Sequence, residues 1–185
     1  AQADFVVEVP RGVHVRVASG SGEVSVEGVS GNVHAASGSG TVRVGSGAAE
    51  VRAASGSGEV TVDGALGPVQ ASTGSGEVRI TTGRGPVTAS TGSGDIDVSM
   101  ASVPGSEDMR FSSGSGSITL RLPADFSANL HATTGSGDVE SDFQMVLQGR
   151  LSRHSIRATI GGGGRDLRLT TGSGDIRILR QGGGR

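Results

Sequence analysis

The chain has 185 residues, 34 of them glycine, with four Phe and no Trp, Tyr or Cys, and its sixteen basic side chains, all Arg, meet eighteen acidic ones. This composition excludes disulfides, thiolate chemistry and a lysine Schiff base, and near-zero net charge with few aromatics leaves no nucleic-acid footprint. The glycine has no Gly-X-Y period, so collagen is excluded, and an apolar fraction of 34% argues against plain disorder.

The chain opens on Ala1-Gln2-Ala3 without Met, as a secreted product does after signal removal, which points to an extracellular or cell-envelope location. No apolar run approaches the ~18 residues of a membrane span. Residues 1–18, containing Phe5-Val6-Val7-Glu8-Val9, read as an irregular first coil of a repeat. From there a tetrad, Ser/Thr-Gly-Ser-Gly, starts at Ser19, Ser37, Ser55, Thr73, Thr91, Ser113, Thr134 and Thr171. Its first four intervals are 18 residues, and the next are 22, 21 and 37. A fixed period that tolerates insertions is the signature of a solenoid.

Residues 19–90 form four regular coils. Each holds two short alternating runs, such as Val24/Val26 and Val33/Ala35, separated by two Gly-rich turns. Alternation over four or five residues predicts a half-buried strand. The fold expected is therefore an all-β, single-domain parallel β-solenoid with two-sheet coils of about 18 residues and a right-handed wind. A left-handed hexapeptide helix also has coils of ~18 residues, but it needs an aliphatic residue at every sixth position. Positions 24, 30, 36 and 42 are Val, Ser, Ala and Val. Pro68 and Pro86, one coil apart, open second-face strands, where a missing N–H is tolerated.

Residues 91–133 carry turn insertions near Pro104 and Pro123, and Met109 and Phe111 widen a core otherwise built from Val and Ala. Residues 134–170 are the most irregular coil, with an excursion at 143–160 read as a β-hairpin. Residues 171–185 are a final half coil and a Gly-rich tail.

The recurring T-G-S-G-D-[IV]-x-[IV] at Thr91–Val98 and Thr171–Ile178 resembles the bacterial putative-adhesin β-solenoid family. So does the closing stretch from Gly135: G-S-G-D-V-E-S-D-F, a hairpin-like segment, I-G-G-G-G and a last T-G-S-G-D-I-R-I. The similarity covers nearly the whole chain. It implies a cell-envelope or secreted β-solenoid without catalytic residues to carry over.

The residue after each tetrad is Glu23, Thr41, Glu59, Glu77, Asp95, Ser117, Asp138 or Asp175, an acidic column along one edge. Glu23, Glu59, Glu77 and Asp95 are the candidates for a divalent cation, since carboxylates suit calcium. However, the calcium-roll pattern G-G-x-G-x-D is absent, and Arg43 and Arg79 stand ready to pair with the column. The four histidines, His14, His34, His131 and His154, suggest no metal cluster and read as surface residues. Without Lys there is no phosphate-binding P-loop, and no G-x-S-x-G nucleophile elbow occurs. An ice-binding face would need flat Thr arrays, which Arg43, Arg79 and Asp97 interrupt. No cofactor and no enzymatic constellation are expected.

Two functions remain open. One is a structural protein that stacks end to end into a homo-oligomer or filament, through Phe5, Val7 and Val9 at one end and Ile176 and Ile178 at the other. The other is an adhesin-like module that engages a surface or glycan through its faces, or through Arg150, Arg153 and Arg157 of the excursion.

Overall fold

The computed structural model describes residues 10, 12–82, 84–148 and 154–181. Among them the chain is all β, with no helix. The strands alternate between two sheets. They are β1 (Val15–Ser21), β2 (Val24–Val26), β3 (Asn32–Ser39), β4 (Val42–Val44), β5 (Glu50–Ser57), β6 (Val60–Ala65), β7 (Val69–Ser75), β8 (Val78–Thr82), β9 (Val87–Ser93) and β10 (Ile96–Met100). There follow β11 (Met109–Ser115), β12 (Ile118–Pro123), β13 (Ala128–Ser136), β14 (Val139–Ser141), β15 (Met145–Leu147), β16 (Ser155–Ile160), β17 (Asp166–Ser173) and β18 (Ile176–Gln181). The ten-stranded sheet runs β1-β3-β5-β7-β9-β11-β17-β13-β16-β15, and the eight-stranded sheet runs β14-β18-β12-β10-β8-β6-β4-β2.

The 18-residue period is the pairing register. Val15, Val33, Val51, Val69 and Val87 stand side by side, as do Val24, Val42, Val60, Val78 and Ile96. Parallel strands place like residue on like residue, so one inward alternation builds the interior of every coil. That interior is mostly valine and alanine up to Ile80 and Ile96, and Met100, Met109 and Phe111, all fully buried, thicken it further. Phe126 and Phe143 close the thick end, edge to face with centroids 6.4 Å apart.

The tetrad is mostly strand rather than turn, which corrects the sequence reading. Its first three residues continue the strand, as Ser37-Gly38-Ser39 does in β3, and only the fourth turns the chain. Each position has a physical reason. From Ser37 onward the first hydroxyl is buried and donates to the fourth-residue carbonyl of the neighbouring coil, as Ser55 does to Gly40 at 2.8 Å and Thr73 to Gly58 at 2.9 Å. The N–H of that same Gly40 donates to Ser57 O at 3.1 Å, so both its polar groups are satisfied by one coil. The second glycine is needed because coils touch there: a Cβ on Gly92 would lie 2.5 Å from Gly74 O. At Gly22 and Gly174 the fourth residue adopts positive φ, 129° and 148°, which L side chains avoid.

The order of the last coils departs from chain order. β17 lies between β11 and β13, and β18 lies between β12 and β14. The final stretch is thus an interior coil, not an end. The excursion does form a hairpin: β15 and β16 pair antiparallel, and β16 pairs antiparallel with β13. It lies flat as the outermost layer of the ten-stranded sheet. Ile176 and Ile178, expected at an exposed stacking end, are fully buried and paired on both sides. They cannot form a self-association surface, because an inward-facing residue of an interior strand has no free side. Phe5, Val7 and Val9 lie outside the described residues.

Candidate functional site

The outer face of the eight-stranded sheet carries the acidic column. The strand order places Asp175 between Ser117 and Asp138 in it. Two residues on, a second outward column reads Ser25, Arg43, Thr61, Arg79, Asp97, Thr119, Arg177 and Glu140. The arginines reach back to the acids. Arg43 pairs with Glu23 at 2.5 Å, and Arg79 bridges Glu77 at 2.8 Å and Glu59 at 3.3 Å. Arg177 pairs with Asp175 at 2.8 Å and Glu140 at 3.3 Å, and Arg121 pairs with Asp97. Asp95 accepts the Ser117 N–H at 2.8 Å, and Asp175 accepts the Asp138 N–H at 3.1 Å. Glu23, Glu59, Glu77 and Asp95 are therefore occupied in ion pairs and a backbone bond. Among the described residues no three His, Asp or Glu side chains converge as a metal site needs.

The outer face of the ten-stranded sheet has a different chemistry, which sequence reasoning missed. One column reads Arg16, His34, Arg52, Gln70, Thr88, Arg110, Arg168, His131 and Arg157 across consecutive strands. Alternation turns all of these outward, with Arg16, Arg52, Arg110, Arg168 and Arg157 exposed. Beside it runs a low floor of Ala18, Ala36, Ala54, Ser72, Ser90 and Ser112, continued by Thr170, Thr133 and Ser155. Rail and floor bound a shallow groove of about 410 Å³ between His34 and Ser90. Arg52 pairs with Glu50 at 3.0 Å, and Arg168 with Asp166 at 3.5 Å. Arg16, Arg110 and Arg157 make no ion pair among the described residues.

The signal was partly legible. Arg16, His34 and Arg52 are 18 residues apart, the same period as the valines. The second half of the rail was hidden, because its neighbours follow the strand order rather than the chain order. Of the excursion arginines, the structure brings Arg157 into this rail opposite His131. Arg150 and Arg153 lie outside the described residues. His34 and His131 share the column with five strands between them, and His14 accepts the Asn32 N–H through Nδ1 at 3.3 Å.

A third feature is a loop pocket of about 460 Å³ at the thick end, between residues 101–106, Phe126 and Arg165. The Arg165 guanidinium donates to Val103 O at 2.8 Å and to Gly105 O, and its Cζ lies 5.6 Å from the Phe126 ring centroid. Burial pushes this guanidinium below its ordinary pKa, and the Glu107 carboxylate opposes the shift. Arg165 is thereby a strap for the 101–108 loop.

These features define a two-sheet parallel β-solenoid with one compensated acidic face and one Arg-bearing face. The chain belongs to the Toastrack DUF4097 family, whose profile matches residues 2–179. Among solved structures, a putative cell adhesion protein from Clostridium sporogenes ATCC 15579 is similar at 18% identity with a TM-score of 0.45. The match covers 65% of this chain and 56% of that one, so the chain spans little more than half of its length. No curated protein matches the chain.

Proposed function

We propose that the chain is a non-enzymatic, cell-surface binding module of the adhesin type, which meets a repetitive surface with the outer face of its ten-stranded sheet. The observation that carries this reading is the in-register rail and floor on that face, from Arg16 to Arg157. Side chains repeated at a spacing of about 4.8 Å suit a partner that is itself repetitive, because many weak contacts add without a deep pocket. The test uses protein labelled at an introduced cysteine and incubated with intact bacteria, isolated cell walls and epithelial cells. Retention that falls in Arg52→Glu and persists in Arg79→Gln supports the reading. No retention of the wild type on any of the three surfaces overturns it.

End-to-end self-association is the second reading. It is favoured by β1, a seven-residue strand at the margin of its sheet, whose outer edge is unpaired among the described residues. The opposite margin is the three-residue β15, so a stack joins unequal strands. Analytical ultracentrifugation across a wide concentration range tests it, and a monodisperse monomer throughout overturns it.

A further inference from the structure

The Arg rail is densest on four adjacent strands. Arg110 on β11, Arg168 on β17, His131 on β13 and Arg157 on β16 stand in direct register, which gathers residues from four separate stretches of the chain. Two residues along each strand, a matching row of hydroxyls faces the same way: Ser112, Thr170, Thr133 and Ser155. On the other flank stand Asp108 and Asp166, where the Asp108 carboxylate accepts the Asp166 N–H at 2.9 Å.

We infer that this four-strand patch binds an anionic polysaccharide laid across β11, β17, β13 and β16, a proposal that rests on the binding-module reading above. Three observations select that ligand. First, two of the three arginines here are uncommitted, and Arg168 has only the 3.5 Å pair with Asp166. On the opposite sheet Arg43, Arg79, Arg121 and Arg177 are held by carboxylates and Arg180 lies against the Phe143 ring, whereas Arg110 and Arg157 have no ion pair among the described residues. A guanidinium matches a carboxylate or sulfate in a two-pronged fashion.

Second, the patch mixes charges with neutral donors and acceptors. Hydroxyls on one side and carboxylates on the other suit a chain that alternates anions with hydroxyl groups. A nucleic acid stacks its bases on aromatic rings, and the patch offers it none. Third, the spacing between strands, about 4.8 Å, is close to the length of one pyranose residue, so successive sugars meet successive strands. A second copy of the chain, docked by its acidic face, is less favoured, because those acids already hold their own arginines.

The probes are immobilised polygalacturonate and heparin, with dextran as the neutral polymer and single-stranded DNA as the competing polyanion. Binding is read by biolayer interferometry at increasing salt. The wild type is expected to bind at least one acidic polysaccharide, to ignore dextran, and to weaken as salt screens the contacts. Arg110→Glu and Arg168→Glu should each weaken binding by about tenfold or more, while Arg79→Gln leaves it unchanged. Circular dichroism checks that each variant is folded, and Arg110→Lys should retain part of the affinity. Four results overturn the proposal: no binding to either acidic polysaccharide, equal binding by the Arg110→Glu and Arg168→Glu variants, DNA bound as tightly as the polysaccharides, or self-association that these substitutions abolish. Cell retention without polysaccharide binding sinks this inference alone. Polysaccharide binding without cell retention sinks the surface-module reading alone.

Discussion

The Thr171 hydroxyl donates a 2.8 Å hydrogen bond to the carbonyl of Gly116, 55 residues earlier in the chain, and not to the coil that precedes it in sequence. That preceding coil instead lies on the far side, where the Thr134 hydroxyl donates to Gly174 O at 2.9 Å. The last coil is therefore wedged between two earlier ones and bonded to both by the same device. Thr171→Val deletes the donor and leaves a buried carbonyl short of a partner, which costs about 1–2 kcal/mol. Thr171→Ser should be mild, since Ser37, Ser55 and Ser113 hold the same place in other coils. Thermal unfolding followed by far-UV circular dichroism reads the difference, because a chain without Trp or Tyr offers little intrinsic fluorescence. For a domain of this size the Val variant should melt about 2–8 °C lower.

The wedge also predicts how truncation fails. In a solenoid built in chain order, removing the final coil shortens the stack and leaves the rest standing. Here a chain stopped after residue 164 loses β17 and β18, interior strands of the two sheets. β13, β14 and the β15–β16 hairpin then have no ladder to join, and Phe111 and Leu120 lose the coil that covers them. Limited proteolysis of this truncation should cut rapidly after about residue 123 while the coils from β3 to β9 stay protected. Protection of β13 and β16 in the truncated chain would show that they dock without β17.

Much of this architecture was readable from the tetrads and the valine alternation, because a parallel stack repeats its own pattern. The order of the last coils was not. Thr134 and Thr171 open tetrads of the same kind, so local chemistry does not rank which one lies against Ser113. Bulk was the available clue. Met109 and Phe111 are matched by Leu167 and Leu169, whereas the strand after the insertion offers Leu130 and Ala132. Thick coils pack best beside thick coils, and that places β17 next to β11. The excursion then covers the outer edge of β13 through β16, a docking place that the hairpin pattern of residues 143–160 does not by itself specify. The Arg rail was obscured for the same reason, since half of it exists only in the spatial order.

The tetrad glycines predict a contrast between the middle of the stack and its margin. A Cβ on Gly92 would meet Gly74 O at 2.5 Å, so Gly92→Ala must push two coils apart and should cost about 1–3 kcal/mol. The equivalent residue in the marginal strand is Gly20, where an added Cβ meets nothing within 4 Å. Gly20→Ala should stay within about 0.5 kcal/mol of the wild type. Chemical denaturation of the two variants side by side measures this. Equal losses would mean that backbone entropy, and not coil contact, selects the glycine.

The compensated face should respond to salt only weakly. Arg79 serves both Glu59 and Glu77, and all three side chains are partly open to water. Arg79→Gln leaves two like charges on neighbouring strands, at a cost of about 0.2–1 kcal/mol, the usual range for exposed pairs. The loss should shrink at high ionic strength, because screening weakens the original attraction and the new repulsion together. Unfolding curves of the two proteins at low and high salt should therefore converge, and a gap that widens with salt would contradict this account.

Arg165 should matter more than any of these exposed pairs. Its guanidinium donates to two loop carbonyls and faces the Phe126 ring, and its burial is what lowers its pKa. Hydrogen bonds from a charged donor are worth about 1.5–3 kcal/mol, so Arg165→Ala should lose stability in that range. Arg165→Lys keeps the charge but not the planar fork, and should recover only part of it. The local readout is amide exchange across residues 101–108, which should speed up in both variants and more in the alanine. If global stability falls while exchange in that loop stays at the wild-type rate, the contribution of Arg165 lies in its contact with Phe126 and not in strapping the loop.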